Sequence, residues 1–159
     1  MDLSKKKNCC ESEIYSEQLQ KEIGYHLKRS YIQVIEQFHL DMGEFKLSPG
    51  EYSILCIIQE NDLMTAKKLS KELNIAPPNL VNLIDRLESR QIIIKTVNSN
   101  DRRSQILKLS KFGEGLLQGA MIASNNSQNR ALSKLSETER EQLIKLLKKI
   151  YSKDSTLRS

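Results

Sequence analysis

The apolar positions of this chain form a series of short stripes whose spacing changes along its length. Ile23, Leu27, Tyr31, Val34 and Phe38 are four, four, three and four residues apart, the period of a helix with one apolar face. They predict one long helix from Glu13 to about Met42, with Gly43 as its C-terminal cap. Ser48-Pro49-Gly50-Glu51 has the spacing of a capping box with proline at the first helical position. The helix it opens runs to about Gln59. It is dense with Tyr52, Ile54, Leu55, Cys56, Ile57 and Ile58, which predicts burial on most sides, and Asn61-Asp62 ends it.

Two helices and a hairpin follow. Thr65 caps a short helix to Leu73, and Asn74-Ile75-Ala76 makes the turn. Pro77-Pro78 opens a second helix in which Leu80, Leu83, Ile84 and Leu87 fall at i, i+3, i+4 and i+7. Asn79, Asn82, Asp85, Arg86 and Arg90 lie off that stripe. Residues 92–97 are rich in β-branched side chains and predict a strand, and residues 105–109 predict its return. Asn98-Ser99-Asn100 and Asp101-Arg102-Arg103 make the tip. Ser110 caps a helix from Lys111 to about Leu132, whose polar segment Ala123–Asn129 predicts a kink, a solvated turn or a break. Ser136 to Glu139 is a second capping box, and Leu143, Leu146, Leu147 and Ile150 stripe the last helix. The fold class is mainly α with a small β-hairpin wing, a winged helix-turn-helix flanked by N- and C-terminal helices.

Four elements in this order carry a resemblance. Leu47-Ser48-Pro49 precedes a helix, and Leu83-Ile84-Asp85-Arg86-Leu87-Glu88 lies in the second motif helix. Asp101-Arg102-Arg103 stands at the hairpin tip, and Leu109-Ser110-Lys111-Phe112-Gly113 leads into a long helix. Together they resemble the MarR family of bacterial regulators over roughly residues 20–150. The resemblance implies a homodimer, with residues 13–44 and 111–151 as dimerisation helices. Residues 45–110 would form the DNA-binding lobe, between tails at 1–12 and 152–159. A two-fold dimer sets two recognition helices about 34 Å apart, one turn of DNA, and so reads a palindromic operator in double-stranded DNA.

Charge supports a nucleic-acid partner. From Thr65 to Lys111 stand ten of the 25 Lys and Arg and four of the 20 Asp and Glu, leaving fifteen basic against sixteen acidic residues elsewhere. The whole +5 excess therefore belongs to the motif that would face phosphates. Apolar content is 38%, so one subunit has a modest core and gains from a partner. No run approaches the ~20 apolar residues of a membrane span and no secretory signal is visible, so the expected location is the cytoplasm.

On the expected DNA surface, Pro78, Asn79, Asn82 and Arg86 face the groove floor or its walls. The family commonly has Ser or Thr near the start of this helix and a long polar residue at the place of Asn82. Pro77-Pro78 and Asn82 therefore imply fewer guanine contacts and an A·T-rich palindrome. Asn79 is equally suited to capping the helix start. The resemblance places Arg103 in the minor groove with Asp101 holding it, and leaves Arg102 to phosphate or solvent. Thr65, Lys67, Arg90 and Lys95 are phosphate candidates.

Members of the family commonly respond to small anionic or aromatic compounds, and others to oxidants. His26, Arg29, Ser30 and Tyr31 are the candidates for a ligand with a carboxylate or a ring. Cys9 and Cys10, beside Lys5-Lys6-Lys7, are the redox candidates, and Cys56 reads as a buried small hydrophobe. His26 and His39 are thirteen residues apart, about 220° around a helix, and cannot share a metal. No cysteine or histidine spacing resembles a zinc site, and no cofactor is expected. Gly113-Glu114-Gly115-Leu116-Leu117-Gln118 lacks the third glycine of a dinucleotide fingerprint. An enzyme is not expected. The reading is a sequence-specific repressor released by a small ligand. The alternatives are a cysteine-based oxidant sensor or a winged-helix adaptor for another protein.

Overall fold

The structure, a computed structural model, describes residues 16–98, 101 and 103–152. The chain divides into two compact units, one ending at Ile32 and the other beginning at Gln33. In the first, Ser16 caps a single-turn helix α1 (Glu17–Gln20), and α2 (Ile23–Asp41) starts after Lys21-Glu22. This corrects the single long helix predicted from Glu13. The amides of Lys21 and Glu22 reach back three residues, to Gln18 O and Leu19 O, which closes the turn too tightly to continue an α-helix. The Gln20 carbonyl is met by His26 Nε2 at 2.9 Å. Ile23, Leu27 and Tyr31 of the predicted stripe are exposed.

The second unit begins within α2, whose Phe38 is buried. Gly43 does not cap that helix. It opens a 3-10 turn, Gly43–Phe45, and Lys46 takes the left-handed conformation with φ 50°. α3 (Pro49–Glu60) starts at the full Ser48–Glu51 capping box. α4 (Ala66–Leu73) and α5 (Pro77–Ser89) follow, then the hairpin β1 (Ile93–Val97) and β2 (Gln105–Leu109), then α6 (Lys111–Ala131) and α7 (Glu137–Tyr151). The strands are antiparallel, with Ile93 opposite Leu109 and Val97 opposite Gln105. Leu107 N–H also donates to Met64 O at 2.8 Å, tying the hairpin to the segment before α4.

The core lies where these elements meet. Ile54 and Leu55 of α3, Leu69 of α4, Leu80 and Leu87 of α5, Ile92 and Ile93 at the hairpin, and Leu117 and Ala120 of α6 are all buried. Each large aliphatic side chain taken fully out of water contributes about 1.5–3 kcal/mol, which fixes the orientation of α5 and the hairpin on α3. The base of α6 packs closely against the turn before β1. A Cβ on Gly113 would stand 2.0 Å from the Ile92 carbonyl oxygen, and that carbonyl already accepts from Ser110 N–H at 3.0 Å.

α6 also corrects the sequence reading, because it runs unbroken through Ala123–Asn129. Ser124 and Ser127 are buried rather than solvated. Ser124 acts on the Tyr52 hydroxyl of α3 and Ser127 on the Asp41 carboxyl of α2, each favouring the charged form of its partner. Serines that find tertiary partners no longer compete with the helix backbone. Arg130 continues the same face, its Nε donating to Asp41 Oδ2 at 3.2 Å. Hydrogen bonds from Gln37, and then the Arg130 guanidinium, hold the Asp41 carboxyl below its ordinary value. α7 starts at the second capping box, yet none of its residues is buried, and Leu146 and Ile150 are exposed.

Candidate nucleic-acid interface

α4, its turn and α5 form the helix-turn-helix. Thr65 caps α4, its side chain accepting from Lys68 N–H, and Asn74 closes α4 in the left-handed conformation at φ 51°. Asparagine tolerates that region better than most residues. Ser70 Oγ fixes the turn by donating to Ile75 O at 2.8 Å. Ala76 is the N-cap of α5, so Asn79 is not a cap; it lies exposed in the first turn.

With Leu80, Ile84 and Leu87 inward, α5 turns Pro78, Val81, Asn82 and Asp85 outward at i, i+3, i+4 and i+7. Three cations of α5 and β1 have partners within the fold. Arg86 Nη2 and Nε lie 2.9 and 3.1 Å from Glu51 Oε1. Arg90 spans the Lys46 and Phe45 carbonyls at 2.8 and 2.9 Å. Lys95 Nζ lies 3.0 Å from Asp85 Oδ1 and 2.6 Å from Glu88 Oε2, which raises its pKa further. Arg90 and Lys95 thus bind the fold together where the sequence predicts phosphate contacts. Arg86 leans toward α3 where a groove contact is predicted.

Glu51 is the hub of one such link. Burial pushes its carboxyl up, but the Ser48 amide and hydroxyl and the Arg86 guanidinium outweigh it and hold the pKa below its ordinary value. A depressed folded pKa stabilises the fold above a glutamate's ordinary 4.5, and that contribution is lost as pH falls through the folded value. Glu51→Ala is expected to cost about 2 kcal/mol at neutral pH, the sum of a lost cap and lost buried hydrogen bonds. Denaturant titrations at descending pH check this. The gap between variant and parent should narrow below pH 4.5, and a constant gap would show that the carboxylate charge contributes nothing.

At the wing tip, Arg103 N–H donates to Asp101 Oδ1 at 3.0 Å, and Ser104 N–H to Asp101 O at 2.9 Å. Asp101 therefore holds the Arg103 backbone and not, as predicted, its guanidinium. That guanidinium is exposed and has no ion-pair partner among the described residues. Arg102 lies outside the described residues.

Between α4, α5 and the wing runs a cleft of about 660 Å³. It is lined by Thr65, Lys67 and Lys68 at the start of α4, by Val81 and Asp85 of α5, and by Arg103 of the wing. Lys68 Nζ donates to Leu63 O at 2.9 Å, while Lys67 is exposed. The sequence alone does not single out Val81, nor the tertiary role of Glu51. Val81 was readable as an apolar residue off the core stripe; Glu51 reads there only as a cap.

His26, Arg29, Ser30 and Tyr31 are exposed on the part of α2 in the first unit. Cys9 and Cys10 lie outside the described residues. Cys56 is half-buried rather than fully buried as expected, and burial raises its thiol pKa. Among the described residues no helix is long and apolar enough to cross a membrane.

A two-helix motif with an exposed polar second helix, joined to a hairpin with an arginine at its tip, defines a winged helix-turn-helix DNA-binding module. The comparisons agree. The family model described as MarR family matches residues 47–105. The transcriptional repressor CouR, solved bound to a 23-mer DNA duplex, is 30% identical with a TM-score of 0.83 over 87% of this chain and 99% of that one. CouR bound to p-coumaroyl-CoA is 27% identical with a TM-score of 0.79 over 89% and 99% of the two chains. A regulatory protein assigned to the hcr operon of Thauera aromatica is 28% identical over 135 residues, 84% of this chain and 81% of the relative. The chain belongs to the MarR family of DNA-binding transcriptional regulators, which are not enzymes.

Proposed function

We propose that this protein is a homodimeric repressor that binds an A·T-rich palindrome and is released by a small aromatic or anionic ligand. The observation that carries the reading is the exposed face of α5 set beside a wing arginine whose guanidinium has no ion-pair partner among the described residues, with a Lys67-lined cleft between them. Such a cleft accepts the phosphate ridge between a major groove read by α5 and a minor groove entered by Arg103. The exposed apolar residues of α6 and α7, Met121, Ile122, Leu146 and Ile150 among them, are the surface that a second copy would cover. α1, α2, α6 and α7 serve as the dimerisation helices and residues 45–110 as the DNA-binding lobe. CouR, the relative solved with p-coumaroyl-CoA, supports an aromatic, anionic effector, and His26, Arg29, Ser30 and Tyr31 remain its candidate contacts. The ligand releases DNA only by the difference in its affinity for the two dimer geometries.

The test is recovery of sheared genomic DNA by the purified protein at moderate salt, followed by sequencing. One or a few palindromic sites, with affinity falling steeply as salt rises, are expected. Uniform recovery with no enriched sequence would remove the specific-repressor reading. Aromatic acids and their acyl thioesters, added to the protein bound at its site, test release.

A further inference from the structure

Val81 is 47% exposed in the middle of α5. A β-branched side chain there contributes little to the helix, and the core beneath is already closed by Leu80 and Ile84. Its neighbours on the outward face are Pro78 at i−3, Asn82 at i+1 and Asp85 at i+4, so the face is half apolar. It lines the cleft shared with Thr65, Lys67 and Arg103, the side chains that would track phosphates. Arg86, the helix cation best placed to read guanine, is held by Glu51, and Asp85 shares the Lys95 ammonium with Glu88. The face therefore offers an amide and methyl groups, with its nearest cation already paired.

One base presents a complementary surface in the major groove. Thymine carries a C5-methyl group there, and an apolar side chain in contact with it separates T·A from every other pair. We propose that Val81, flanked by Pro78, is a specificity-determining residue that reads a thymine methyl group in each half-site, next to an adenine read by Asn82. The inference rests on the DNA-binding reading above and adds to it the chemical group recognised.

The experiment begins with selection of the full-length protein on a random-sequence duplex library. Each thymine of the enriched duplex is then replaced singly by deoxyuridine, which removes only the methyl group, and affinity is measured by fluorescence anisotropy. One thymine per half-site is expected to lose about fourfold in affinity, the worth of one methyl taken out of water. V81A is expected to bind the parent duplex more weakly and to lose that discrimination. Alanine is the better helix former at this exposed position, so folding is retained, and an unchanged melting temperature verifies it. An enriched duplex that is indifferent to every uracil, or V81A that keeps the full fourfold discrimination, would overturn the inference and leave the repressor reading standing. No enriched sequence at all would overturn both.

Discussion

Arg103→Ala is expected to lower operator affinity by about 10- to 100-fold while leaving the melting temperature unchanged. The side chain is exposed at the wing tip and makes no ion pair among the described residues, so its removal exposes nothing and unpairs nothing. On the proposed reading its value lies in the minor groove, where a narrow A·T tract concentrates negative potential. Anisotropy over a salt series checks the assignment, because each lost cationic contact lowers the slope of log affinity against log salt by about one. Asp101→Asn separates two roles of the neighbouring carboxylate. Asparagine keeps an acceptor for the Arg103 amide and is expected to retain most of the affinity. A loss as large as that of Arg103→Ala would mean that the carboxylate steers the guanidinium after all.

The second large effect is on stability. Gly113→Ala is expected to destabilise the protein by about 3 kcal/mol or more, since a methyl group cannot share the space of a carbonyl oxygen. The Cβ would meet the Ile92 oxygen at 2.0 Å and its carbon at 3.0 Å, and neither is the end of a side chain able to swing away. For a chain of this size that corresponds to a fall of about 6–12 °C in melting temperature, readable by calorimetry. The substitution also loosens the seat of the wing, so DNA affinity should fall even below the new melting temperature. Gly115→Ala is the control, because nothing lies within 4 Å of a Cβ there.

The sequence made the helix starts legible because a cap is a local object. Ser48, Thr65, Ser110 and Ser136 each sit three residues before the amide they accept from, and all four were readable. The break at Lys21-Glu22 was hidden, since the apolar stripe that signals a helix begins only at Ile23. Gln91 was hidden for the opposite reason. It turns the chain out of α5 at φ 57°, where glycine would have announced the turn. The continuity of α6 goes with the burial of Ser124 and Ser127 and the bond from Arg130 to Asp41, far away in sequence, which no local propensity records.

The same distance in sequence limited the reading of the interface. Counting charges gave a basic motif, but not which cations were already spoken for. Arg86 meets a carboxylate 35 residues earlier, and Arg90 meets carbonyls 44 and 45 residues earlier. Lys95 is neutralised by two acids of the helix before it, on a face that sequence order alone does not bring together. What sequence did preserve is the outward face of α5, because the period that fixes the buried residues also fixes their opposites.

The uninterrupted course of α6 makes it a rod. Its 21 residues span about 31 Å at 1.5 Å per residue. One end is seated on the wing through Ser110 and Gly113, and the other is pinned to α2 through Arg130 and Asp41. A break at Ala123–Asn129 would have let the two ends move independently. A rigid rod makes them a lever, and a tilt of about three degrees about one end sweeps the other through about 1.6 Å over that length. A small displacement near Asp41 is therefore expected to reach the turn that seats the hairpin, at the opposite end of the rod.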